Sequence, residues 1–142
     1  MKYLIVILFF APVILTFAQS TRGLVGDGVD AYEESNFSEA EVNFKKGVES
    51  DVENFESRFN LGDAIYKQGR FEESLEEFKN SIPLAETDDS KSKIFHNIGN
   101  SLLKAQKLKE SIIAYREALK LNPNDMATEV SFCSGSAIFI YT

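Results

Sequence analysis

The fold is decided by residues 55–88, which read FESRFNLGDAIYKQGRFEESLEEFKNSIPLAETD. In the first half, Phe59, Gly62, Ile65 and Tyr66 recur at spacings of three and four, as residues on one face of an α-helix do. A glycine inside a helix costs about 1 kcal/mol relative to alanine, so Gly62 indicates a place where another helix approaches closely. This half therefore predicts an amphipathic helix with a tight contact on one side.

The second half predicts another helix that packs on the first. Gly69 is expected to end the first helix, because glycine adopts a left-handed conformation without a Cβ clash. Apolar residues then return at helical spacing, with glutamates between them. The apolar positions are Phe71, Leu75, Phe78 and Ile82, and the glutamates are Glu72, Glu73, Glu76 and Glu77. Since neither helix buries its apolar face alone, the two form a hairpin that also needs neighbours.

Four marker positions of this hairpin recur 34 residues earlier and 37 residues later. The markers are Gly62, Phe71, Ser74 and Phe78 in the central hairpin, Gly28, Phe37, Ala40 and Phe44 before it, and Gly99, Leu108, Ser111 and Tyr115 after it. Small and aromatic residues in this order and period resemble the tetratricopeptide repeat (TPR) family. The resemblance implies an all-α fold, a right-handed TPR superhelix (α-solenoid) of three helix-turn-helix repeats at residues 21–54, 55–88 and 92–125.

The net charge of −7 over 142 residues argues against binding a nucleic-acid backbone, which needs a basic surface. The charge is also uneven. Residues 21–54 hold nine acidic and three basic residues, residues 55–88 eight and four, and residues 92–125 three and six. The repeats therefore carry −6, −4 and +3. This asymmetry has two interpretations, solvated helix faces or an electrostatic dipole that steers a partner or a second copy.

The N-terminus has the layout of a secretory signal peptide. Lys2 precedes an apolar run over residues 3–17, and Thr16 and Ala18 provide small residues at the −3 and −1 positions. We predict a signal peptide over residues 1–18, cut after Ala18, and an exported protein that is periplasmic or membrane-associated. The alternative is an uncleaved membrane anchor, although the run is interrupted by Pro12 and is short of the roughly 20 residues that span a bilayer.

Residues 19–125 are predicted to be the TPR domain, with three segments outside its helices. We expect a polar lead-in at residues 19–24, a polar loop at residues 87–90 that carries the three-residue insertion, and an irregular tail at residues 126–142. Gly135 is expected to break any helix in the tail, and residues 137–141 are uncharged and β-prone. Three interpretations of the tail stay open, namely a frayed terminus, a segment that covers the last repeat and a segment that docks on a partner.

Catalysis is not indicated. The chain has one histidine and one cysteine, His96 and Cys133, and neither lies in a nucleophile–base or metal-ligand spacing. A single cysteine also excludes an internal disulfide. The four glutamates of the central hairpin are typical of a solvated helix face. We predict a non-enzymatic protein with no metal and no cofactor.

The resemblance to TPR proteins implies a binding groove, because their first helices line the concave face of the superhelix. The implied groove residues are Val29, Tyr32 and Glu33 in repeat one, Glu56, Phe59, Asn60, Asp63, Tyr66 and Lys67 in repeat two, and Lys93, His96, Asn97, Asn100, Leu103 and Lys104 in repeat three. Asparagine amides suit the backbone of an extended peptide, and aromatic rings provide apolar anchors. The alternative is that these are only exposed helix residues.

One known groove chemistry is excluded. TPR domains that clamp the C-terminal carboxylate of a chaperone use five Lys, Arg or Asn positions, and this chain matches two of them, Asn60 and Lys93. The others hold Val25, Val29 and Asn97. Because valine cannot pair with a carboxylate, that ligand is rejected.

A narrower resemblance rests on three strings: AEVNFKKGVE (residues 40–49), FNLGDAIYKQGRFEES (59–74) and HNIGNSLLKAQKLKESIIAYREALKLNPNDMAT (96–128). They resemble the exported TPR proteins of the Bat aerotolerance operons (BatC or BatE type), which occur with von Willebrand A-domain membrane proteins. This resemblance implies a scaffold in a membrane-associated complex linked to oxidative-stress tolerance.

Two functional hypotheses follow. The first is an exported scaffold whose groove binds a peptide or helix of a protein partner that is membrane-anchored. The second is a structural protein that self-associates end to end, with acidic repeat one against basic repeat three.

Overall fold

The computed structural model describes residues 20–141, with side chains described as far as residue 136, and this part is entirely helical apart from turns and loops. The helices are α1 (Thr21–Glu33), α2 (Phe37–Ser50), α3 (Phe55–Lys67), α4 (Phe71–Ser81), α5 (Asp88–Lys104), α6 (Leu108–Leu121) and α7 (Met126–Tyr141), with a 3₁₀ turn at Ile82–Leu84. The predicted all-α fold is confirmed. None of these helices is long and apolar enough to cross a membrane. The predicted signal peptide at residues 1–18 lies outside the described residues.

The helices pack as three successive hairpins followed by α7. Helices α1 and α2, α3 and α4, and α5 and α6 form the hairpins, and each second helix also packs on the first helix of the next unit. The first helices α1, α3, α5 and α7 contact one another in turn, whereas the second helices touch each other less. The first helices therefore line the inner side of the curved array.

An aromatic ring of the second helix rests on a glycine of the first helix in every hairpin. The pairs are Gly28–Phe44, Gly62–Phe78 and Gly99–Tyr115. A Cβ added to these glycines would lie 2.4, 2.9 and 2.4 Å from the nearest ring atom, closer than real Cβ atoms come. All three rings are fully buried. The close contact predicted at Gly62 is confirmed, and it recurs in each repeat.

The turns between paired helices share one backbone conformation. Gly69 has φ +79°, as predicted, and its N–H donates to the carbonyl of Tyr66 at 2.9 Å. Ser35 and Gln106 occupy the corresponding positions with φ of 63° and 61°. Each hairpin therefore turns at a left-handed residue, although only one of the three is glycine.

Two segments predicted as non-helical belong to helices because a hydroxyl caps each start. Ser20 accepts a hydrogen bond from the N–H of Gly23 at 3.2 Å, and α1 begins at Thr21 rather than after residue 24. Thr87 accepts from the N–H of Ser90 at 3.1 Å, and α5 begins at Asp88. The predicted loop at residues 87–90 is thus wrong, and α5 has 17 residues against 13 in α3.

The predicted irregular tail is also wrong, since residues 126–141 form α7. The Asp125 carboxylate accepts from the N–H groups of Ala127 and Thr128 at 3.1 and 3.2 Å and caps the helix. Gly135 does not break it. This glycine is buried against α6, where an added Cβ would meet Ile112 Cγ1 at an ordinary 3.8 Å. Packing on α6 outweighs the low helix propensity of glycine.

We predict that Gly28→Ala lowers the free energy of unfolding by about 2 kcal/mol. The new Cβ displaces the buried Phe44 ring, an overpacking cost of about 3 kcal/mol, against about 1 kcal/mol gained in helix propensity. Urea unfolding followed by circular dichroism measures the difference.

The matched control is Gly26→Ala in the same helix, where an added Cβ meets nothing within 4 Å. This variant is expected to gain up to about 1 kcal/mol from helix propensity alone. Equal effects of the two substitutions would contradict the role of the glycine–ring contact.

Candidate functional site

The groove side of α1 and α3 holds a pocket of about 280 Å³. It is lined by Val29, Tyr32, Glu33, Phe44, Asn60 and Asp63. Three of these residues come from α1, Phe44 from α2, and the last two from α3. Five of the six are residues that the sequence assigns to the groove by resemblance, and Phe44 was expected only as core. The structure therefore brings the repeat-one and repeat-two positions together.

Tyr32 and Asp63 connect the two repeats across the pocket. The Tyr32 hydroxyl donates to Asp63 Oδ2 at 2.6 Å, and the Tyr32 ring packs edge-on against Phe37 at 5.2 Å between centroids. Burial raises the pKa of Tyr32, and the hydrogen bond to Asp63 and its negative charge raise that pKa further. Burial, and then the charge of Asp63, also raise the pKa of Tyr66. Both phenols therefore stay protonated beside a charged carboxylate.

Several polar groups at the pocket have no partner within residues 20–136. Asp63 Oδ1 accepts no hydrogen bond there, and neither Asp63 nor Glu33 forms an ion pair. Asn60 is part-buried, and its amide makes no hydrogen bond to another described residue. These oxygen and amide groups are available to a ligand.

The remaining repeat-two residues lie at the edge of the pocket or in the core. Lys67 is exposed, and its Nζ lies 6.0 Å from the Tyr32 ring centroid. Phe59 stacks on Phe55 at 5.5 Å and packs on Phe78 at the same distance, so its ring belongs to the part-buried core. Tyr66 packs edge-on against Phe71 at 5.3 Å. Phe59 is therefore not placed as a free apolar anchor.

In repeat three, the sequence-predicted groove residues mostly bond within the protein. Lys93 pairs with Asp89 at 2.7 Å along α5. The Asn100 Oδ1 accepts from the buried Tyr115 hydroxyl at 2.8 Å, and its amide reaches Asn97 at 3.5 Å. Leu103 is part-buried and Lys104 is exposed. These residues do not join the α1–α3 pocket.

His96 is held by α7 rather than offered to a ligand. Its Nδ1 lies 2.7 Å from Thr128 Oγ1, and that hydroxyl donates to Asp125 Oδ2 at 2.6 Å. The Thr128 hydroxyl has one proton, so His96 Nδ1–H is the donor in the first bond. Burial lowers the pKa of His96, and the Asp125 charge partly offsets this. The Thr128 hydrogen bonds lower the pKa of Asp125.

This network gives no nucleophile–base pair. Thr128 is fully buried, and its hydroxyl proton is already directed at a carboxylate. Cys133 is exposed and free on α7. Within the described part of the chain, no group of three His, Cys, Asp or Glu side chains is arranged to hold a metal ion. Sequence reasoning missed the α7 contact because Thr128 lay in the segment predicted to be irregular.

Stacked helical hairpins with an open groove on the first-helix side define an α-solenoid of the repeat-protein class. The tetratricopeptide repeat family profile matches residues 53–124, half of the chain. The chain belongs to the tetratricopeptide repeat family.

Solved structures share this fold at low sequence identity. The first TPR domain of Spaghetti (RPAP3), bound to the HSP90 peptide SRMEEVD, is 21% identical with a TM-score of 0.80 over 86% of this chain and 94% of that chain. The second TPR domain of human RPAP3, in complex with the HSP70 peptide SGPTIEEVD, is 21% identical with a TM-score of 0.73 over 82% and 98%. The translocator chaperone SycD of Yersinia enterocolitica is 12% identical with a TM-score of 0.75 over 82% and 92%. Comparison with curated protein sequences gave no significant match.

We predict that the stability of the protein falls as the pH is lowered from about 6.5 towards the folded-state pKa of His96. This pKa is lowered by burial, so the unfolded chain takes up the proton first and acid favours unfolding in this window. Below the folded-state pKa both states are protonated, so His96 no longer makes the free energy of unfolding change with pH, and the loss of stability remains at its full size. Urea unfolding at several pH values, with an NMR titration of the single histidine, measures it.

The control is His96→Asn, which keeps a side-chain N–H near Thr128 but does not titrate. Its stability is expected to change less with pH over the same window. A His96 pKa above its usual value would contradict the burial argument.

Proposed function

We propose that the chain is an exported, non-catalytic scaffold whose concave groove binds a segment of a membrane-anchored partner protein. The observation that carries this proposal is the α1–α3 pocket, which opens on the inner side of the array. It presents the Asn60 amide, the Glu33 carboxylate and Asp63 Oδ1, none of which has a hydrogen-bond or ion-pair partner among the described residues. Unsatisfied polar groups beside an apolar wall suit an extended peptide or a helix. Membership of the TPR family supports the same function.

The two RPAP3 domains give this proposal a precedent and a contrast. Both were solved with peptides that end in EEVD, which are acidic. The present pocket carries Glu33 and Asp63, and Val25 and Val29 stand at two clamp positions. The proposed partner segment therefore differs from these chaperone tails in charge.

Export and a membrane complex rest on the sequence. The Lys2-initiated apolar run and the small residues before Gln19 support secretion. The resemblance to the Bat operon proteins supports a partner in the membrane and a link to oxidative-stress tolerance.

The N-terminus of the protein isolated from its host tests export. We expect mass spectrometry of the intact protein to give a chain that starts at Gln19, because Thr16 and Ala18 fit the −3 and −1 positions of a cleavage site. A protein from the membrane fraction that still starts at Met1 would support the uncleaved anchor instead.

A groove variant tests the binding. We predict that Val29→Ala, Asn60→Ala and Lys104→Ala together reduce capture of the partner from the host's envelope fraction by about tenfold or more. These side chains lie on first helices, and they make no hydrogen bond or ion pair with another residue that the structure describes. Quantitative mass spectrometry of the captured proteins, with circular dichroism to confirm the fold, measures the effect.

The matched control carries Val42→Ala, Lys46→Ala and Asn80→Ala, the same residue types on exposed positions of second helices. It should capture the partner as the unchanged chain does. If both variants lost capture of the partner equally, or if neither lost it, the groove would be rejected as the binding site. Capture of the chain itself, with a mass that rises with concentration and falls with salt, would favour end-to-end self-assembly between the −6 and +3 repeats.

A further inference from the structure

We propose that the α1–α3 pocket receives a lysine or arginine side chain of the partner segment. This inference deepens the proposed function and rests on it. The pocket combines a cavity with groups that lack a partner among the described residues. At about 280 Å³ it is at the lower limit of small-molecule sites, roughly 300–1,000 Å³, and so fits one side chain of a larger ligand.

The walls suit the stem of a long basic side chain. Val29 and Tyr32 provide apolar and aromatic surface from α1, and the pocket also borders the almost fully buried Phe44 ring of α2. Lysine and arginine bury their methylene groups against such surface while the charged end reaches a polar group. A purely apolar side chain would use these walls but would leave the carboxylates beside it without a partner.

The polar end of the pocket carries two negative charges. Asp63 uses Oδ2 for the Tyr32 hydroxyl and keeps Oδ1 available, and Glu33 is exposed at the same pocket. Neither forms an ion pair with a described residue. Charge-assisted hydrogen bonds from an ammonium or guanidinium group would satisfy both.

The lysine that lies over the Tyr32 ring does not pair with the pocket carboxylates. Lys67 is exposed, and its Nζ lies 6.0 Å from the Tyr32 centroid, where it interacts with the ring face. It makes no salt bridge to Asp63 or Glu33. Lys67 reduces the local negative charge but leaves the two carboxylates open to a second cation.

The surroundings favour a basic partner at longer range. Repeats one and two carry −6 and −4, so the pocket lies in the acidic part of the array. Such a field increases the rate at which a basic segment arrives and weakens as salt is added. Asn60, whose amide has no partner among the described residues, is placed to pair with the backbone of that segment.

The test is selection of a random dodecapeptide library displayed on phage against the chain from Gln19 onward, which contains every described helix. We expect selected peptides to share a lysine or arginine next to apolar residues. In fluorescence polarisation, Asp63→Asn with Glu33→Gln should weaken binding of such a peptide about tenfold or more. Replacing the basic residue of the peptide by norleucine should do the same, and the two changes together should add little.

The matched control is Asp30→Asn with Glu34→Gln, which removes the same charge from exposed residues of α1 and its cap outside the pocket. It should change affinity less than about twofold at physiological salt. A loss of affinity as large as that of the pocket variant would overturn the proposed binding of a basic side chain in the pocket. It would show that only the long-range negative field of the first two repeats attracts the peptide.

The outcomes separate this inference from the proposed function. One outcome is that the selected peptides lose binding to the groove variant, which carries Val29→Ala, Asn60→Ala and Lys104→Ala, but still bind the pocket variant and still bind after the norleucine replacement. This outcome would overturn the proposed role of a basic side chain and would leave the proposed groove function in place. Peptides that bind equally well to the groove variant would overturn both. A library that yields no binder to the folded chain would also count against both.

Discussion

The contact between an aromatic ring and a glycine, repeated in each hairpin, sets the geometry on which the array depends. Phe44, Phe78 and Tyr115 occupy the space where Gly28, Gly62 and Gly99 have no Cβ. Because the ring fits only against bare backbone, it fixes how closely and in which rotation the two helices cross. The three rings also close the cores between repeats, since the same second helices pack on the following first helices. A change at one glycine is therefore felt by the neighbouring repeat.

The packing of the hairpins also determines which side of the first helices is left to face the groove. One side of α3 packs on α2 and α4, and one side of α5 packs on α4 and α6, so the remaining side of each faces the inner surface of the array. At one end of that surface, Tyr32 bonds Asp63 in the next first helix and leaves an open pocket beside it. At the other end, His96 of α5 hydrogen-bonds Thr128 of α7, which is likewise a bond from one first helix to the next. The same face thus holds an open pocket in repeats one and two and an internal contact in repeat three.

The period and the glycine–aromatic markers allowed the fold to be predicted, because they follow from spacing within and between repeats. The placement of the first helices along one groove was implied by the resemblance to TPR proteins. Residues that pair across repeats were not predictable in the same way. The Tyr32–Asp63 bond depends on the rotation between successive hairpins, which no local pattern encodes. The tail failed for a related reason. Gly135 has a low helix propensity, but its helix is stabilised by contacts with α6, and tertiary packing overrides propensity.

The contacts distinguish the acidic residues that are merely solvated from the one that is part-buried at the pocket. A charge on a solvated helix face needs no explanation, and most glutamates of α4 are of this kind. Asp63 is different, since it is part-buried and only one of its oxygens has a partner among the described residues. Partial burial of a carboxylate costs solvation, and among the described residues one hydrogen bond, from the Tyr32 hydroxyl, offsets that cost at Asp63. A cationic ligand would compensate for that cost, which is why the proposed basic side chain is assigned to this end of the groove.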